Sequence, residues 1–408
     1  MNVVLLIMMA IVVFDFLFDR LLGYLNKSAW SAVVPHELED VYPQDTFGKH
    51  QQYRRANYSF SFVNHFFSFV LLMAVLWFGG FALADEWAGK FSQNTVGRGL
   101  AFFAIIGLVV QLVSLPFSWY ETFVIEARFG FNKSTPAIFW IDTLKSLLLG
   151  ILIGAPLLAA VIWFYTWLGG WFWIAAWGLA TVLTVVVSMF YTSLVLPLFN
   201  RQVPLPEGNL RTSIENMANK AGFKIDNVFV MDGSKRSTKA NAFFSGFGPR
   251  KRIVLYDTLI NDLTTEEITA VLAHEIGHYK LKHILWGTAV GVVQTGGILF
   301  LFSKVAASPK LSLALGAPMF QFHLGLVAFG LLFAPISMLL GLFGNWLSRR
   351  NEFAADAFAA SHSDAPHLVS ALKKLSANSL SNVTPHRLYV FFRYSHPPLL
   401  ERIRALNR

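Results

Sequence analysis

The sequence predicts a mainly α-helical, polytopic membrane protein with seven transmembrane helices and a small α+β domain. Composition is the first reason. Of 408 residues, 55% are apolar and 14% charged, and 39 are phenylalanine; soluble domains carry about a quarter charged residues. Recurrent apolar runs are the second. A spanning helix needs about 20 mostly apolar residues, and such runs fall at about 3–23, 58–84, 99–117, 144–165, 170–195, 284–303 and 323–346. The third is a change of texture, because residues 200–283 and 347–408 are polar and carry the signals of soluble secondary structure.

The first run starts at Val3 without a small-residue cleavage site, so it reads as a retained helix and not a cleaved leader. The fourth and fifth runs meet at Gly169 and Gly170 in a very short turn. The sixth contains "GVVQTGG", which is soft and is expected to kink. In the first polar stretch, "LRTSIENMANKAGF" sets Leu210, Ile214, Met217 and Ala218 at helical spacing and stops at Gly222. "NVFVMD" and "KRIVLYD" read as short strands, the second offering an edge to an extended peptide. "LTTEEITAVLAHEIGH" opens with Thr264 and Glu267 in capping-box spacing, so a helix begins there. The expected organisation is helices one to five over 1–199, a first catalytic piece over 200–283, helices six and seven over 284–346, and a second catalytic piece over 347–408.

Seven spans put the loops after the first, third and fifth on one side with the C-terminal piece. That side carries 28 Lys and Arg residues, the other side 4. Basic residues concentrate in cytoplasmic loops, so the N-terminus is expected outside and both polar pieces in the cytoplasm. The same bias accounts for the net charge of +9 without a nucleic-acid partner. The chain has no cysteine, which excludes disulfides, a thiol nucleophile and a thiolate metal site.

Residues 271–283 read "VLAHEIGHYKLKH". On a helix, positions four apart share a face, so His274 and His278 can present two imidazoles to one metal ion. Glu275 lies about 100° round the helix, where its carboxylate reaches a metal-bound water without ligating. This is the two-histidine zinc pattern of metallopeptidases. A catalytic zinc usually takes three protein ligands and an open position. His283, five residues beyond His278, is rotated away on a continuing helix. "SRRNEFAADAFA" offers Glu352 and Asp356, again four apart. Glu352 suits a third ligand, and Asp356 suits an acceptor for a ligand histidine's free N–H. The alternative is a solvated face pairing with Arg349 and Arg350. By residue type alone, Asn241 is a turn or strand-edge residue, His396 a loop residue before two prolines, and Arg402 an arginine of a helix end.

"VLAHEIGH" followed by "RRNEFAADAFA" resembles the type I CAAX prenyl proteases, integral-membrane zinc metallopeptidases. Further matches, in order, are "FGFNKST" at 129–135, "PLFN" at 197–200, "NAFFSGFGPRKRIVLYDTLI" at 241–260 and "SHPPLLERIRAL" at 395–406. The resemblance implies seven helices enclosing a large water-filled chamber that the zinc site faces. It implies one Zn2+ per chain, with Glu352 as third ligand beside His274 and His278, and Glu275 as general base. It places Asn241 and His396 where substrate is held or the oxyanion stabilised, and Arg402 close to the site. The polar residues inside apolar runs, Asp15, Asp19, Asn64, His65, Gln111 and Gln294, are then expected at a cavity or an interface.

The expected activity is peptide-bond hydrolysis by a membrane zinc metalloendopeptidase of CAAX-processing type. Expected partners are a peptide or protein substrate, lipid-modified ones included, and membrane lipid; a monomer is expected. A short C-terminal piece without an ER-retrieval signal favours a bacterial plasma membrane, with the ER membrane as the eukaryotic equivalent. Two other readings stay open: a membrane quality-control zinc peptidase, and a transporter or channel with a structural zinc. Glu275 speaks against the last, because a structural site needs no general base and is closed by four ligands.

Overall fold

Alternating apolar helices and short polar connections set the architecture. The computed structural model describes residues 2–31, 33–42, 44–223, 228–245 and 252–408. The apolar helices are α1 (Val3–Ser28), α2 (Gln44–Trp77), α3 (Gly80–Phe91), α4 (Thr95–Tyr120), α5 (Pro136–Leu168) and α6 (Phe172–Phe190). A π-helical stretch, Glu121–Glu126, continues α4, and another, Tyr191–Val195, continues α6. Among the described residues, five helical stretches are long and apolar enough to cross a membrane: Phe47–Trp77, Thr95–Glu126, Pro136–Leu198, His283–Val305 and Phe322–His362. The third holds both α5 and α6, which pack against each other across Gly169 (φ 53). Large apolar side chains remain exposed along these helices, such as Leu152 (71%) and Val293 (71%), as lipid-facing surfaces require.

Several expected boundaries move. The second run was expected over 58–84, but α2 starts at Gln44 and stops at Trp77. Gly79 follows in the left-handed region (φ 69), and the rest of the run belongs to α3.

The first polar stretch holds β1 (Gln202–Pro204), α7 (Asn209–Lys220), β2 (Val228–Met231), β3 (Ala242–Ser245), β4 (Arg252–Tyr256), α8 (Asp257–Asp262) and α9 (Thr265–Lys280). The sheet order is β1-β2-β4-β3, with β2 and β4 parallel and the outer pairs antiparallel. β4 was expected to offer an edge, but β2 and β3 pair with both its sides; among the described residues β1 and β3 are the outer strands. Residues 246–251 of the 241–260 stretch lie outside the described residues.

Next come α10 (His283–Val305), α11 (Pro309–Ala314), α12 (Phe322–His362), α13 (Ala365–Asn378), α14 (Arg387–Arg393) and α15 (Leu399–Leu406). "GVVQTGG" does not break α10, which is helical throughout. The seventh run, expected to end at 346, runs on without interruption to His362 despite Pro335. One helix therefore carries a membrane-length stretch and the second polar motif. One hydrophobic core joins the two polar stretches through Ile214 and Met217 of α7, Leu255 of β4, Leu272 and Ile276 of α9, and Leu368 of α13.

Candidate active site

The helix α9 is fixed at its start. Thr264 Oγ1 accepts from Glu267 N (3.3 Å), and Glu267 Oε2 accepts from Thr264 N (2.9 Å). The Glu267 carboxylate also takes Ser370 Oγ (2.6 Å) and Lys374 Nζ (2.7 Å), so it ties α13 to the cap. Ile268, Leu272 and Ile276 turn into the core, which leaves His274 and His278 facing α12. Gly277 sets that approach. A Cβ on it would meet Phe358 Cδ1 at 3.1 Å and the Ala355 backbone at 3.3 Å. The glycine of the motif thus lets α9 and α12 lie close enough for their side chains to converge.

They do converge. His274 Nε2 and His278 Nε2 are 3.1 Å apart. Glu352 Oε2 lies 3.6 Å from His274 Nε2, and Glu352 Oε1 lies 3.3 Å from His278 Nε2. Four ligands at zinc bond lengths of about 2.0–2.1 Å on a tetrahedron stand about 3.3 Å apart, so these edges match a metal-sized gap. Glu352 Oε2 is buried without a hydrogen-bond donor, as an oxygen reserved for a cation would be. Two imidazole nitrogens and a carboxylate oxygen within 4.8 Å of one another are a donor set that fits zinc.

Around this triad stands a second layer. Asp356 Oδ1 lies 2.9 Å from His274 Nδ1. Arg402 of α15 grips the same carboxylate with Nε (2.8 Å) and Nη2 (2.6 Å), and its Nη1 is 3.6 Å from Glu352 Oε2. His396, at the Ser-His-Pro-Pro turn before α15, places Nε2 3.4 Å from Glu352 Oε1 while its side chain stays 65% exposed. Glu275, Asn241, His396 and Arg402 line one cavity of about 340 Å³ with the triad. His283 is a neighbour that its spacing hid. Lys282 adopts φ 60, the chain turns between α9 and α10, and His283 Nδ1 comes 3.0 Å from His278 Nδ1. It is placed to fix the His278 ring from behind.

Electrostatics follow the burial. Burial pushes the Glu275 carboxyl up, against the pull of His274 and His278. Burial works against a charged His274, but the Asp356 and Glu352 carboxylates prevail and raise it to about 9. A metal held by His274 would have to displace that proton, so its binding would release acid.

The wall that carries Asn241 is tied to the membrane helices. Lys133 N donates to Arg236 O (3.0 Å) and Thr238 N to Phe131 O (3.1 Å), a bridge from "FGFNKST" to the segment before β3. Arg236 clasps Asp142 of α5 in a bidentate pair (2.7 and 2.9 Å). Lys239 Nζ reaches Glu126 (2.7 Å) and Tyr53 (3.0 Å), and lies over the Phe131 ring (4.5 Å). Asn241 follows two residues later; its carbonyl accepts from Tyr256 N (3.0 Å) and its Oδ1 from Ala242 N (2.9 Å).

Known proteins resemble this chain along its whole length. A family model described as CAAX prenyl protease N-terminal, five membrane helices, matches residues 24–201. That of peptidase family M48 matches residues 204–408. The CAAX prenyl protease 1 homolog of Arabidopsis thaliana is 37% identical over 390 residues, covering 92% of this chain and 90% of its own. CAAX prenyl protease 1 of Saccharomyces cerevisiae is 33% identical and covers 96% and 93%. The crystal structure of S. mikatae Ste24p superposes with a TM-score of 0.94 at 32% identity, over 100% of both chains. Helices of membrane length carry a peptidase cluster whose whole chain aligns with those enzymes, so this chain belongs to the CAAX prenyl protease family of M48 peptidases and is a multi-pass membrane zinc metalloprotease.

Proposed function

We propose that His274, His278 and Glu352 hold one zinc ion per chain and that Glu275 is the general base of peptide hydrolysis. The observation that carries this is the buried convergence of the three donors in the cavity that also holds Glu275. When bound, zinc polarises the scissile carbonyl and lowers the pKa of its water to about 7. Glu275, raised by burial, takes the proton of the attacking water and returns it to the leaving amine. Exposed His396 donates from Nε2 to the oxyanion of the transition state. Asn241 and the outer strand β3 take the substrate backbone as an added strand. Asp356, with Oδ1 2.9 Å from His274 Nδ1, is placed to take that nitrogen's proton and leave Nε2 to ligate, while Arg402 holds Asp356.

The wider reading is of seven helices enclosing a chamber, with α1 and the two helices of the Pro136–Leu198 stretch completing the count. A cavity of about 1070 Å³ between α4 and α5, lined by Gln111, Thr122, Ser134 and Asp142, supports it. Residues 1–199 and 284–346 form the membrane part, and 200–283 with 347–408 the catalytic part. The basic-residue bias supports a catalytic part in the cytoplasm and an external N-terminus. Substrates of this reading include lipid-modified proteins, the enzyme acts as a monomer, and a bacterial plasma membrane is its setting, with the ER membrane as the eukaryotic equivalent.

The test is Glu275→Gln. Zinc should stay at one per chain while peptide cleavage is lost, and a chelator should abolish wild-type cleavage. Cleavage retained by the variant would remove Glu275 from the mechanism, and loss of zinc would make it a ligand.

A further inference from the structure

A second cavity, about 310 Å³, lies between α1, α2 and the chain around α14. Its walls hold a buried cation that has no anion beside it among the described residues. Arg54 of α2 is 7% exposed, and neither Nη1 nor Nη2 has a hydrogen-bond partner. Its compensation is the Trp30 ring, 4.4 Å from the guanidinium carbon. A ring face returns far less than the removal of a guanidinium from water costs. The same cavity is lined by Arg20, whose Nε is buried and unpartnered, and by Trp30, whose Nε1 is likewise orphaned. All four orphaned atoms are N–H donors. They call for an occupant that only accepts and that carries negative charge.

Asp19, the carboxylate at this cavity, does not serve. Arg20 and Arg393 (2.5 Å) already share it. A planar guanidinium with free N–H groups suits a phosphate, whose oxygens accept from several directions. The surroundings indicate where the phosphate comes from. On α1 and α2 the adjoining turns expose Leu17 (59%), Leu21 (52%) and Phe62 (43%), an apolar flank suited to acyl chains. On the other side Lys27 sits over Tyr58 (5.0 Å), a cation and aromatic pair of the kind found at headgroup depth. The cavity has room for a headgroup and not for its tails. We propose that this cavity binds the phosphate headgroup of an anionic membrane phospholipid.

The test uses the full-length, zinc-loaded protein in nanodiscs of phosphatidylcholine, with and without phosphatidylglycerol. Unfolding midpoint and lipid retained in native mass spectrometry are the readouts. Phosphatidylglycerol should raise the midpoint by at least about 2 °C and remain bound at about one per chain. Arg54→Met should weaken retention by at least about 10-fold and abolish the shift. It should fold no worse in phosphatidylcholine alone, because it deletes an unpaired buried charge. Arg54→Lys should fall between the two, and Arg55→Gln, on the exposed neighbour, should match wild type. The proposal is overturned by an unchanged shift in Arg54→Met, by no shift in wild type, or by an equal shift from inorganic phosphate in pure phosphatidylcholine discs.

Discussion

Asp356→Ala tests how the outer layer holds the metal. Asp356 makes two kinds of contact: His274 Nδ1 at 2.9 Å and a bidentate grip from Arg402 at 2.6 and 2.8 Å. Removing the partner that orients a ligand histidine costs about 10–100-fold in metal affinity, or about 1.4–2.7 kcal/mol. The second loss comes from Arg402, whose side chain is 11% exposed. Stranding a buried charge costs about 3–5 kcal/mol of stability. The freed guanidinium can turn to Glu352, since its Nη1 is already 3.6 Å from Glu352 Oε2. There it competes with the metal for its carboxylate ligand. The single variant should therefore lose zinc affinity by at least about 100-fold, the upper end of the outer-layer range. Asp356→Ala combined with Arg402→Met should recover part of the stability and bring the zinc loss back within about 10–100-fold. Competition titration with a chromophoric chelator and thermal melts of the metal-free proteins measure both. The reasoning fails if the single variant binds zinc within a factor of about 3 of wild type, or if the double variant is no more stable than the single.

Three further outcomes are expected. His396→Ala should lower kcat by about 100- to 1,000-fold with zinc content and KM little changed; loss of zinc in a metal assay would make it a ligand, and Asn241→Ala should instead act mainly on KM. Lys239→Met should raise KM more than it lowers kcat, with zinc retained, because it releases the chain before β3 from Glu126 and Tyr53; steady-state kinetics showing a kcat defect alone would refute the anchoring role. For Glu267, burial raises the pKa, but the hydrogen bonds from Lys374, Ser370 and Thr264 outweigh it and leave it below 4.5. A depressed folded pKa gives stability that is full above 4.5 and is lost as pH falls through the folded value, so Glu267→Gln should lower the melting temperature at pH 7 and the gap to wild type should close below pH 4.5.

What the sequence showed and hid divides along local and long-range lines. The helix α9 was legible because its signals are local: a capping box, an apolar face, and two histidines one turn apart. The helix pattern of α7 and the strands β2 and β4 were legible for the same reason. The end of the last apolar run was misjudged because composition reports polarity and not backbone. Residues 347–362 are polar, yet no breaker interrupts α12, and the helix continues out of its apolar stretch. That continuation carries Glu352 and Asp356, four residues apart, to α9. His283 was set aside because five residues on a straight helix point away from His278; a non-glycine residue at φ 60 removed the straight helix. The role of "FGFNKST" was hidden most completely. Its hydrogen bonds run to residues more than a hundred positions later, and no local pattern encodes a partner at that distance. The order of the sheet has the same origin. β4 looked like an edge because strand pairing depends on what arrives beside it, and β3 arrives from the segment that Lys239 ties to Glu126 and Tyr53. The wall of the cavity beside the zinc donors is thus set by the membrane part of the chain, which is why a peptidase cluster legible in one helix needs the whole protein to be assembled.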